Sequence, residues 1–257
     1  GTSDNIWSNG ANWSGCDNGG VPENGDTLIF PAAAANTTNT NDLIGLNLNE
    51  IIITGGSYSL SGNALTLTPL SPYAIELLSN AITYNIPTTI SAASGSKYIV
   101  SSGTSNAINS NITLAMAGAD INFTAGAAPE DLSILGSISG NAANVNFASG
   151  GSGLVTINNA APNTFTTSAY VQASGDAHIS CGTSTCFGNS ANDLNLFDEV
   201  TLDIKNPTTN IANTIIFLGS LQANVTFNSS STISGDLVLT NNVQFETTAN
   251  ASVNING

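Results

Sequence analysis

The 257-residue chain carries a formal net charge of −15 from 17 acidic residues and two lysines, Lys97 and Lys205, with 41 % of residues hydrophobic and only 7 % charged. So few cations cannot neutralise phosphates, which excludes nucleic-acid binding and attraction to an anionic membrane surface. Where a usual domain has ~25 % charged residues, this one has Asn, Thr, Ser and Gly, the residues of turns and solvated strands, with enough Ile, Val, Leu and Phe to fill a core. The composition predicts an all-β protein.

The first segment, "WSNGANWSGCDNGGVPENGDTLIFP", turns almost continuously and holds both tryptophans. Such a segment suits either an aromatic platform for sugars or a lid over an open apolar end. As a lid, Trp7 and Trp13 cover a large area, Pro22 and Gly25 fix the turn, and Asp26 bonds its own backbone before "TLIF" starts the first strand. The lid is the expected reading, with a cap over 1–31 and a β-domain over 32–257.

After Phe30 the chain becomes a series of strand-sized pieces, among them "EIIITGG", "NALTLTP", "KYIVSSG", "ADINFTAG", "NVNFASGG", "EVTLDI", "TIIFLG" and "NVTFNSS". Most alternate apolar and polar residues, the period-2 mark of a strand with one buried face. Helix formers never gather beyond "SPYAIELLSN", which is good for a turn or two. "ADINFTAG", "NVNFASGG" and "NVTFNSSS" share Asn, Phe and a following small residue, in units roughly 20 residues apart, the mark of a solenoid. The expected fold is a single right-handed parallel β-helix of about ten coils, with Asn ladders between coils. A β-sandwich would also give short strands. No stretch approaches the ~18 apolar residues of a membrane span.

The opening segment resembles the start of passenger modules in bacterial autotransporters and surface proteins with autotransporter-associated β-strand repeats. The matching residues are Trp7, Asn12, Trp13, Ser14, Val21, Pro22, Gly25, Asp26, Thr27 and Phe30, about a tenth of the chain. Cys16 is a departure, since such passengers have few or no cysteines. The resemblance implies a right-handed β-helix that is exported and displayed at the cell surface. Its partners would be host or neighbouring-cell surface molecules or glycans, or copies of itself. No membrane insertion of this segment, cofactor or metal is expected. The function expected is structural and adhesive, without catalysis. The alternatives are a filament or surface-layer subunit stacked end to end, and a β-helix that binds or degrades polysaccharide.

Candidate chemistry is sparse. Cys181 and Cys186 bracket "GTST", and in an exported chain so short a loop predicts a local disulfide pinning a projecting loop. With His178 they would give only three ligands for zinc. His178 is the one histidine, and no Gly-x-Ser-x-Gly element accompanies it. Among carboxylates, Glu199 and Asp203 can share a strand face near Lys205, Asp198 is out of phase, and Glu130 and Asp131 read as a solvated turn. Asn12, Asn36, Asn111, Asn122, Asn224, Asn228 and Asn250 open Asn-x-Ser/Thr triplets, a frequency expected of this composition.

Overall fold

A computed structural model of the chain describes residues 4–15, 19–149, 151, 153–159, 161–174, 177–197, 200–205, 210–218, 223–240, 242–247 and 252–256. The alternation read from the sequence becomes a stack of inward-facing side chains. One column runs Leu28, Ile51, Ile75, Ile99, Phe123, Phe147, Ala173, Leu196, Phe217 and Leu239, each paired in parallel with the next. The protein is therefore an all-β parallel solenoid of about nine turns. Successive rungs of this column lie 21 to 26 residues apart, so the coils are longer and fewer than the ten or so expected.

A coil has three faces. The column above defines the first. The second runs through Leu60, Tyr84, Ile108, Ile134, Ile157, Cys181, Ile204 and Phe227. The third begins with Leu48, Leu67, Ile90 and Leu114. No single coil can bury its apolar side chains alone, so each depends on the next. Between Phe123 and Phe147 the stacking is direct, with ring centroids 5.5 Å apart and planes 21° from parallel. The twelve-residue strand Ile138–Ser149 bends from the third face into the first and fuses them into one hydrogen-bonded sheet.

Cys181 and Cys186 form a disulfide with sulfurs 2.10 Å apart. The loop they pin does not project as expected. Both cysteines and Phe187 are buried, and Phe187 packs edge-on against Phe147 at 6.3 Å. Residues 182–193 form turns where the third face would have a strand, and that face resumes as a separate three-stranded sheet at Asn210–Ile211. Buried amides satisfy the loop's backbone: Asn163 Nδ2 donates to the Cys186 carbonyl (3.3 Å) and Asn192 Nδ2 to that of Phe187 (2.9 Å). With both sulfurs bonded, neither can ligate zinc. Cys16 lies outside the described residues. Alkylation of the unreduced monomer is expected to add one label, at Cys16, and three after reduction, as read by intact mass. Three labels before reduction would contradict the bridge.

The lid takes shape around one ring. Trp7 is fully buried, in a T-shaped contact with Trp13 at 5.8 Å, and both rings pack on Phe30 at 5.8 and 5.5 Å. Phe30 passes the contact on to Tyr58 of the next coil at 5.6 Å. Trp13 Nε1 donates to the Trp7 carbonyl at 2.9 Å. Asn5 to Trp7 run beside Thr38–Asn41: Ile6 bridges Thr40, the Trp7 N–H donates to Thr40 O (3.0 Å), and the Thr40 N–H donates to Asn5 O (2.7 Å). An otherwise free strand edge is covered. Pro22 is buried, Gly25 takes a φ of 92°, and the Asp26 carboxylate accepts from the Glu23 N–H at 2.8 Å rather than from its own backbone. Thr27–Phe30 is already a rung of the first face, so lid and first coil share this segment.

Candidate functional site

The alternation that buries one set of side chains turns the other set outward, and on the first face this makes a continuous stripe. Tyr73, Tyr98, Asn122, Asn146, Gln172 and Asn195 are register partners on six successive coils. The two tyrosine rings sit 5.8 Å apart, and Tyr73 is 39 % exposed. Beyond them the amides form a ladder: Asn146 Nδ2 donates to Asn122 Oδ1 at 2.9 Å, and Asn122 Nδ2 to the Lys97 carbonyl at 3.0 Å. A second ladder runs beside it, with Asn144 Nδ2 on Asp120 Oδ1 at 2.8 Å and the Tyr170 N–H on Asn144 Oδ1 at 3.3 Å. Asn146 Oδ1 and Asn195 Oδ1 are buried without a hydrogen-bond partner, and Asn195 as a whole is buried, so the accessible stripe ends at Gln172. The stripe thus presents partly exposed rings, then the half-buried amides of Asn122, Asn146 and Gln172 at the ~4.8 Å strand spacing, with Asn122 and Asn146 bonded along the ladder.

At the aromatic end lies a carboxyl pair that sequence reading did not find. Glu50 is 8 % exposed, and its Oε2 accepts from Ser71 Oγ at 3.2 Å. Burial first, and then the neighbouring Glu76 carboxyl of the next coil, push the Glu50 acid up to about 7. Lys97 Nζ donates to the Ser71 carbonyl at 2.9 Å, binding a third coil to the group. Glu50 and Glu76 are 26 positions apart, so only knowledge of the coil length could have paired them.

Of the residues singled out in sequence, the fold brings three together on the second face. Asp203 Oδ2 lies 3.4 Å from Lys205 Nζ and 3.8 Å from His178 Nε2. Asp203 is buried, and its Oδ1 accepts from Asn228 Nδ2, so the amide of this glycosylation triplet, like that of Asn122, is engaged within the fold. Ser180 is the register partner of Asp203, but its buried Oγ has no hydrogen-bond partner, so no base touches this hydroxyl as nucleophilic catalysis requires. Asp198 and Glu199, and with Glu199 its expected pairing to Asp203, lie outside the described residues. Glu130 follows a turn, while Asp131 is spoken for: its Oδ1 accepts from the Asn106 N–H at 3.0 Å. Among the described residues, no three His, Cys, Asp or Glu side chains are grouped to hold a metal ion.

Hollows also mark the surface. One of 460 Å³ beside the disulfide loop is lined by Asn163, Thr164, Thr185, Asn189, Asn210 and Asn213 among others. Another of 320 Å³ lies against Trp13. Trp7, fully buried, has no face left for a sugar. Comparison of the chain with protein-family models, with curated proteins and with solved structures gives no match.

Proposed function

We propose that this solenoid is a non-catalytic adhesive module of the autotransporter-passenger kind, displayed at a bacterial cell surface, whose first face binds neutral glycans. The stripe from Tyr73 to Gln172 carries this reading. Aromatic rings suit the apolar faces of sugar rings, and repeated amides suit their hydroxyls. A chain at −15 repels anionic polymers, which makes a neutral partner the better fit. Each contact is weak, and repetition along the rod makes the weak contacts add.

End-to-end stacking into a filament is the second reading. The aromatic lid weighs against it, because a head-to-tail filament needs a free rung at both ends.

The test is binding of bead-clustered protein to a panel of immobilised polysaccharides. Binding to neutral glycans is expected, with a loss of about tenfold or more on replacing both Tyr73 and Tyr98 by Ala. Both tyrosines are at least partly exposed, so the fold should survive. Undiminished binding by that variant would remove the stripe from the contact. Shortened polysaccharide products would replace adhesion with degradation.

A further inference from the structure

The cluster around Asp203 holds an amine and a carboxamide from two successive coils on one carboxylate. Lys205 follows strand Thr201–Ile204, and Asn228 follows strand Ala223–Phe227 at the equivalent place one coil later. The pairing of Ile204 with Phe227, and the bond from the Asn228 N–H to the Ile204 carbonyl (3.0 Å), set the two residues side by side. Asp203 precedes Lys205 by two residues and so shares its outward face. Its side chain is 7 % exposed, with Oδ2 3.4 Å from Lys205 Nζ and Oδ1 accepting from Asn228 Nδ2.

We propose that this is a self-modification site, at which Lys205 and Asn228 join through an isopeptide bond that ties one coil to the next. Lys205 Nζ gives up a proton and attacks the Asn228 Cγ. A C–N bond forms to Nζ, the bond from Cγ to Nδ2 breaks, and Nδ2 leaves as ammonia. An alkylammonium and an amide become a substituted amide and an ammonium ion, so atoms and charge balance without an oxidant, reductant or cofactor. Asp203 suits the proton transfers because its oxygens face different partners. Oδ2 takes a proton from the amine, and Oδ1 delivers one to the departing nitrogen. His178, 3.8 Å from Oδ2, is a further base beside the same oxygen. Holding both groups on one buried carboxylate makes the reaction intramolecular, and a single turnover per molecule suffices. The Lys205 side chain is 50 % exposed, which leaves ammonia a way out.

The sequence supplies its own assay. Lys97 and Lys205 are the only tryptic sites, and an acylated Lys205 is not cut. The denatured, reduced chain, aged after purification, should yield two fragments, 1–97 and 98–257, and an intact mass lower by about 17 Da, the mass of ammonia. Asp203→Asn, which keeps the shape and removes the acid, should yield three fragments at full mass, with the solenoid's circular dichroism unchanged. Asn228→Ala should do the same. Three fragments at unshifted mass from the wild-type chain would overturn the proposal. So would a 17 Da loss with Lys205 still cut, since that is an Asn succinimide, or a cross-link that survives Asp203→Asn.

Discussion

Replacing Trp7 with Ala is expected to destabilise the first coil by about 3–5 kcal/mol, the usual cost of removing a fully buried large aromatic. The ring touches Trp13 and Phe30, and Phe30 in turn touches Tyr58, so the cavity opens beneath the whole lid. Coils of a solenoid contact only their neighbours, so the damage should stay local. Amide exchange should accelerate first at Thr38–Asn41, whose edge is covered by Asn5 to Trp7. Rungs near Phe123 and Phe147 should keep their protection. The uncovered edge should also promote association, visible as larger species by light scattering. Trp13→Ala should cost less, because that ring is only partly buried. Unchanged exchange at Thr38–Asn41 in the Trp7 variant would show that the segment does not serve as a lid.

Much of the fold was legible in the sequence, because a parallel solenoid writes period-2 alternation into every rung and leaves no room for helical periodicity. Coil length was not. Strands such as Asn47–Leu48 and Ala107–Ile108 are two residues long, too short to register as pattern, so the coils read too short. "ADINFTAG" and "NVNFASGG" were correctly seen as alike: Asn122 and Phe123 stack in register on Asn146 and Phe147. "NVTFNSSS" is alike only in composition, since its strand lies on the second face beside Thr201–Ile204. The candidate sites were harder for the same reason. Each joins residues one coil apart, Tyr73 with Tyr98, Glu50 with Glu76, Lys205 with Asn228, and without the register these are unrelated letters. The disulfide needed no register and was found, whereas the burial of its loop depends on Phe187 meeting Phe147 across coils.

Glu50→Gln is expected to stabilise the protein at neutral and alkaline pH and to flatten its dependence on pH. The acid of Glu50 has an ordinary value of 4.5 and is raised to about 7 in the fold, by burial first and by Glu76 second. Below pH 4.5 the carboxyl is protonated in both folded and unfolded chains, and no penalty exists. Between 4.5 and about 7 the unfolded chain releases a proton that the folded chain keeps, so stability falls as pH rises. Above about 7 the loss is complete, because a carboxylate must then sit buried beside Glu76 with only the Ser71 hydroxyl to offset it. The shift corresponds to about 1–3 kcal/mol. Gln keeps the shape, can accept from Ser71 and can donate to an ionised Glu76, yet it never acquires charge. Urea unfolding at pH 5 and pH 8 separates this pair from the repulsion among the other carboxylates, which is common to both proteins. The wild type should lose more stability between the two pH values than the variant does, by about 1 kcal/mol or more. Parallel losses would mean that Glu50 is already ionised in the fold and that the contact between these coils does not depend on a retained proton.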